Sequence, residues 1–371
     1  MSGGGLLGRE ALNRATLSRQ LLLARSDLPV LTAVDHLVGL QAQTTQTWYQ
    51  GLWCRLDAFD PEDLSTLLAE RQVVRMALMR STIHLVSAAD AWGLRQLVVP
   101  VHHRSLRGTF GKRLADLDVD ALDAAGRAIV DERPVTYKEL GDRLQARWPD
   151  RDPVALSMRI RTAVPLVQVP PRGLWRRSGA ARHTSIEAWL GAPPSTLPTV
   201  DDLVWRYLAA FGPASVADAQ TWSGLTRLRE VFDRLRPVLV TFRDDRGREL
   251  FDLPDAPRPD PATPAPPRLL YDFDNLLLSH DDRSRVITPD VLRALDRTPQ
   301  GLITAVLLDG RVAGTWRVET GRGRGAAATI SIRTLEPIAP ADRQPLEVEA
   351  LALLAFLHPD LATRSVRIVP P

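Results

Sequence analysis

Apolar residues recur at helical spacing over roughly 9–25, 118–132 and 199–211. After each stretch a hydroxyl residue stands three positions before an acid: Thr32 with Asp35, Thr136 with Glu139, and Ser215 with Asp218. Such a pair satisfies free amides at a helix start and sets a negative charge against the helix dipole. A further helix follows each cap, the first opening at Asp60 with Pro61, and then two short β-rich runs. These are VVRMALMR with STIHLV, VPLVQV with LWRRSG, and PVLVTF with ELFDL. Turns are expected at Pro170–Gly173 in the second pair and at Asp244–Gly247 in the third. Helix, capped helix, helix and hairpin in that order predict three tandem winged helix-turn-helix units over 1–100, 101–191 and 192–251. The proline-rich tract 252–268 reads as an extended linker.

From 269 to 371 the pattern changes to strand-like runs: RLLYDFDNLLLSH, GLITAVLLDGRVAGTWRVE and ATISIRTLEPI. Asp309-Gly310 is a hairpin signal, a helix is expected over about 341–357, and RSVRIVP closes as a strand. The fold class expected is α+β, with the helical units followed by a C-terminal β-barrel-like domain.

Composition narrows the function classes. The chain has 371 residues, 44% hydrophobic and 25% charged, which suits a globular protein with a full core. No run approaches the roughly 18 apolar residues that span a bilayer, and the N-terminus lacks the pattern of a secretion signal, so a cytoplasmic, nucleoid-associated protein without a membrane partner is expected. Cys54 is the lone cysteine, which excludes an intrachain disulfide and a cysteine-based zinc site. Of 47 basic residues only Lys112 and Lys138 are lysines, and the net charge is +3. The charge is uneven, with 16 basic and 11 acidic residues over 101–191, so the middle of the chain is the expected footprint on a polyanion.

The repeat is broken in the first unit. DHLVGL runs into Gln41-Ala42-Gln43 and then TTQTWYQGLWCRL, an insertion the other units lack. On a helix, residues two apart differ by about 200° in direction, so the two amides converge only where the helix ends or unwinds. An amide is no strong base, but it donates and accepts hydrogen bonds and can orient a water. That suffices where the leaving group is already activated, as in a purine alkylated at N7. A helix-end cap or a solvated face accounts for the same pair.

LVGLQAQ (37–43), LMRSTIHLV (78–86) and FDNLLLSHDDRSRVI (273–287) together resemble the AlkZ-like, YcaQ-related DNA glycosylases, and the resemblance runs over roughly 9–369. It implies three winged-helix motifs and a C-terminal β-barrel around a DNA channel, and hydrolysis of bulky or crosslinked N7-alkylguanine without metal or cofactor, in base excision repair or antibiotic self-resistance. By the motif match Gln41 and Gln43 would position the attacking water; a YcaQ-like branch would carry aspartate at the second position. The second block makes Arg80, Thr82 and His84 candidates for the cleft, with packing the competing role for His84.

Asn275, His280, Asp281 and Arg283, in the third block, suit interdomain hydrogen bonds better than DNA contact. The tip GRGRG offers Arg322 and Arg324 to a minor groove, as does the family's DNA-contacting hairpin. Arg104, Arg107, Lys112 and Arg113 form a basic cluster for phosphates or for solvent. Trp48 is a candidate DNA-binding residue that, with Tyr49 and Trp53, offers either a stacking pocket or core. The expected partner is double-stranded DNA containing an alkylated purine, bound by a monomer that attacks with the base largely in place. The alternatives are a non-enzymatic winged-helix regulator, against which stands the lack of a long coiled-coil seam, and a scaffold for protein contacts.

Overall fold

The computed structural model describes residues 5–295, 303–321 and 327–371. The chain is mixed α+β, with two five-stranded sheets and a two-stranded ribbon. The first sheet has the order β1-β3-β2-β4-β5, where β1 is Leu40–Gln41, β2 Val73–Ala77, β3 Ile83–Ser87, β4 Leu166–Gln168 and β5 His183–Ser185. All its pairings are antiparallel. The sheet crosses two of the expected units, because β2 and β4 meet at Arg75↔Gln168 and Met76↔Val167. Every residue of β2 is buried, which is why VVRMA shows no alternation.

The helical reading holds in most places. The stretches expected over 9–25, 118–132 and 199–211 contain the helices Arg9–Arg19, Val119–Glu132 and Val200–Phe211. Thr136 with Glu139 and Ser215 with Asp218 form reciprocal capping boxes, and Asp60 caps Pro61–Ala69. Thr32 is a correction. The helix Val30–His36 starts behind Pro29, so Thr32 is its third residue and makes no cap. LWRRSG is a second one: it forms turns, and the strand paired with β4 is His183–Ser185.

In the third hairpin β6 (Val240–Arg243) pairs with β7 (Glu249–Asp252) as expected. The C-terminal sheet has the order β12-β11-β10-β9-β8, from β8 (Arg268–Leu269), β9 (Ala305–Leu308), β10 (Arg311–Thr320), β11 (Ala327–Thr334) and β12 (Thr363–Val369). Among the described residues it is open, with β8 and β12 as its edges. Asp309 and Gly310 turn β9 into β10 with φ of 43° and 75°. The helix Pro340–Leu357 packs Leu346, Ala350, Leu353 and Leu354 against Ile330, Ile332 and Trp316. RLLYDFDNLLLSH is strand only at β8; beyond it lies the short helix Asn275–Leu278, capped by Asp274. No helix among the described residues is long and apolar enough to cross a membrane.

One core joins the β2–β3 hairpin to the third helical region, through Val74, Met76, Val86, Tyr207, Phe211 and Trp222. Two fully buried ion pairs fasten distant segments. Arg19 grips Asp252 through two bonds of 2.6 and 2.9 Å, and Arg55 grips Asp274 at 2.9 and 2.8 Å. Forked pairing of this kind is what makes a buried charge tolerable.

Candidate active site

The chain leaves the helix Val30–His36 through Val38 and Gly39, both at positive φ, and enters β1 with Gln41. Gln41 is therefore in extended backbone, where residues two apart share a face. Register places Gln41 opposite His84, and the Ala42 N–H donates to the Ile83 carbonyl at 2.7 Å. The Gln43 side chain turns onto the same strand, where its Oε1 accepts from the Ile83 N–H at 3.2 Å.

The two amides are unequal. Gln41 is 2% exposed and its Oε1 accepts from Arg80 Nη2, whereas Gln43 is exposed. Each amide oxygen keeps a second lone pair, and neither Nε2 has a protein partner among the described residues. The pair thus presents one buried amide held by Arg80 and one exposed amide bonded to the Ile83 N–H.

Arg80 owes its direction to a strained turn. Arg80 and Ser81 both adopt left-handed backbone, φ 54° and 61°, between β2 and β3, and neither is glycine. Contacts from elsewhere hold the turn: Arg80 Nη1 donates to the Trp222 carbonyl, and Arg161 donates to the Ser81 carbonyl at 2.7 Å. His102 lies 3.0 Å from the Leu78 carbonyl. Segments from each of the three expected units meet at this hairpin tip.

Beneath the motif lies Arg75. It donates to the Ala42 carbonyl at 2.8 Å and to Gln168 Oε1, and its guanidinium stacks 4.1 Å from the centre of the Trp48 ring. Burial, with Arg172 nearby, pulls its pKa down to about 9; burial likewise pulls Arg80 down to about 10. Both stay protonated at neutral pH, and neither forms an ion pair with a carboxylate among the described residues. His84 is fully buried behind Gln41, with Nδ1 3.1 Å from the Thr82 carbonyl. Burial and Arg80 depress its pKa to about 3, so it is neutral.

The C-terminal region closes the site from the other side. Tyr271 Oη donates to the Gln41 carbonyl at 3.1 Å, Thr44 Oγ1 donates to Asp272 Oδ2, and Asn275 Nδ2 donates to the Gly39 carbonyl at 2.9 Å. His280 lies 3.1 Å from the Phe211 carbonyl, and the Asp281 N–H donates to Asp218 at 2.9 Å, so these residues join regions of the fold as expected. An open groove runs beside the motif from Thr45 and Thr47 past Trp175 to Trp316 and Leu357.

Several residues singled out by pattern take other places. Trp48 and Tyr49 are fully buried in the core, which removes both from stacking on a base; His84 is equally inaccessible to a duplex. Trp53 packs on Phe356 under the Arg25 guanidinium. Thr82 is half-buried and its hydroxyl donates to the Met79 carbonyl. Arg104, Arg107, Lys112 and Arg113 are exposed on the helix Val99–Phe110 and the turn after it, and Arg113 pairs with Asp152 at 2.8 Å. Arg322 and Arg324 lie outside the described residues. Pattern reading missed Arg75, Arg161, Tyr271 and Asp272. A cation inside the apolar run VVRMA was a signal for Arg75; the others reach the site only through tertiary contacts.

The Gln41-Ala42-Gln43 edge is thus braced by the helical regions on one side and by the C-terminal β-rich region on the other. The chain belongs to the AlkZ-like DNA glycosylase family, whose model matches residues 34–356. It is 27% identical over 324 residues to an interstrand DNA cross-link repair glycosylase of Streptomyces sahachiroi, covering 81% of this chain and 85% of that protein. The solved structure of the Streptomyces sahachiroi DNA glycosylase AlkZ superposes with a TM-score of 0.78 at 22% identity, covering 97% of this chain and 99% of the other. Family membership decides for the enzyme over the regulator and the scaffold.

Proposed function

We propose that the protein hydrolyses the N-glycosidic bond of bulky or crosslinked N7-alkylguanine in double-stranded DNA, in base excision repair or in self-resistance to a DNA-alkylating product. The observation that carries this reading is the Gln41-Ala42-Gln43 edge, with one amide fixed by Arg80 and the other exposed at the hairpin tip. N7-alkylation makes the purine cationic. When the C1′–N9 bond breaks, its electron pair leaves with the base, the base becomes neutral, and the positive charge passes to the sugar as an oxocarbenium. Water adds to C1′ and loses its proton, leaving an abasic site.

In this reading Gln41 and Gln43 together position that water, Gln43 accepting a hydrogen bond from it, so the reacting oxygen is held within hydrogen-bond reach, about 3 Å. Arg80 acts by orienting Gln41, and Thr82 shapes the tip beside it. The three helix–helix–hairpin units act as winged-helix modules gripping the duplex, with divisions at 100, 191, 251 and 268. The C-terminal β-rich domain supplies Arg322 and Arg324 to the minor groove. The groove beside Thr45 and Trp316 takes bulk beyond the purine. With Trp48 and Tyr49 in the core, the base is attacked largely in place by a monomer, without cofactor.

The test is to incubate the protein with duplexes carrying defined N7-alkylguanine adducts and to cleave abasic sites with alkali. Strand breaks at the adduct, lost with a Gln43→Ala protein that still binds the duplex, are expected. Undiminished breakage by Gln43→Ala contradicts the assigned role, and no breakage with any N7 adduct contradicts the substrate class.

A further inference from the structure

The reaction above places positive charge on the sugar, yet the ionised groups around the motif are mostly cations. Arg75 and Arg80 lie against it, and Arg161 holds the Ser81 carbonyl. Neutral amides orient a water but bring no net negative charge to a developing cation. A carboxylate is the component such a transition state calls for, and neither glutamine provides one.

The segment Tyr271-Asp272-Phe273-Asp274 carries two carboxylates, and they are used differently. Both oxygens of Asp274 bind Arg55, and Oδ1 also caps Leu276. Its charge is neutralised. Asp272 is 7% exposed; Oδ2 accepts from the hydroxyl of Thr44, the residue after Gln43, while Oδ1 is buried with no hydrogen-bond partner among the described residues. No cation is paired with it among the described residues. A buried carboxylate oxygen left without donors is costly, and its place beside the motif calls for a reason. The neighbouring Tyr271 is bonded to the Gln41 carbonyl, so the segment is tied to the motif on both sides of Ala42.

We propose that Asp272 is a charged positioning residue for the glycosylase reaction. Through Thr44 it holds the Gln43 loop, and its uncompensated charge stabilises the oxocarbenium and orients the water dipole. The proton shed by the water leaves to solvent, so the carboxylate is unchanged over a turnover. The inference rests on the proposed reaction at Gln41 and Gln43.

The experiment measures duplex affinity, thermal midpoint and single-turnover excision of N7-alkylguanine for wild type, Asp272→Asn, Asp272→Glu and Thr44→Val. Asparagine keeps an acceptor for Thr44 but removes the charge; valine removes the hydrogen bond and keeps the charge. Expected is a loss of about 30-fold or more in excision for Asp272→Asn, about 2 kcal/mol at 1.36 kcal/mol per tenfold, with affinity within about twofold. Thr44→Val should lose at least fivefold less, and Asp272→Glu should recover part of the rate. Equal losses for Asp272→Asn and Thr44→Val would reduce Asp272 to a structural anchor, and full activity of Asp272→Asn would overturn the proposal. If Asp272→Asn does not fold, Asp272→Glu decides: retained excision supports the charge, and a folded but inactive protein overturns it. Loss with Gln43→Ala beside full activity of Asp272→Asn would leave the glutamine reading standing and remove this one alone.

Discussion

Arginine is buried in two ways in this protein. At the seams between distant segments, Arg19 faces Asp252 and Arg55 faces Asp274, each through paired bonds in a dry interior. Around the hairpin tip, Arg75, Arg80 and Arg95 donate to carbonyl and amide oxygens instead: Ala42 and Gln168, Trp222 and Gln41, and Thr162. Burial pulls all three below the usual guanidinium range, to about 9, 10 and 10. The first arrangement joins segments, and removing Arg55 strands Asp274, whereas Asp252 keeps Arg258 at 2.5 Å beside Arg19. The second concentrates positive charge under the glutamines, where the fold gains hydrogen bonds but no neutralisation. The difference separates residues that hold the chain together from residues that, in the proposed reaction, set the field and geometry around the glutamines.

The largest effect expected from this contrast is at a seam. Arg55→Met leaves Asp274 buried and unpaired, and should lower the unfolding free energy in urea by about 3–5 kcal/mol. Arg80→Met strands no anion and should cost no more than about 2 kcal/mol in the same titration. It should nevertheless slow single-turnover excision at least about tenfold, by releasing Gln41. Equal stability losses for the two variants would erase the distinction.

The histidines sharpen it further. Burial, first among the causes, holds His84 and His102 near pKa 3 and His183 near 4, below the ordinary 6.5. The unfolded chain therefore binds more protons as pH falls through 6.5. The stability of the neutral forms is fully present above that pH and is lost below it, towards the folded values. From pH 7.5 to 5.5 each contributes a loss of about 1.4 kcal/mol. His84→Gln should show a smaller drop in unfolding free energy over that interval than wild type; an identical drop contradicts the buried neutral state. The smallest effect concerns caps: Thr136→Ala should cost about 1 kcal/mol, and Thr32→Ala, exposed inside its helix, less than about 0.5 kcal/mol.

Those two threonines show how far local pattern carries. Thr136, Ser215 and Asp60 cap helices because each satisfies amides within its own turn, an interaction contained in neighbouring residues. Thr32 has the same spacing, but Pro29 starts the helix three residues earlier. LWRRSG fails as a strand for a non-local reason. Gln46 Nε2 donates to the Leu174 and Arg177 carbonyls at 3.1 and 3.0 Å, its Oε1 accepts from Arg176, and Trp175 packs on Tyr49 and Phe356. Contacts 130 residues apart fix that loop. The glutamine motif was legible because it interrupts a repeat; its extended backbone, the bracing by Arg80 and the neighbouring Asp272 are tertiary and leave no periodic trace.

In the proposed reaction Gln41 and Gln43 hold a water against the sugar of an alkylated nucleotide. It is tested most directly by a crystal structure with a duplex carrying a cationic pyrrolidine in place of the target deoxyribose. Expected is an ordered water within about 3 Å of both Gln43 and the ring carbon that replaces C1′, with Gln41 still on Arg80. A pyrrolidine bound away from the β1 edge, or at that edge with no water on Gln43, would contradict it.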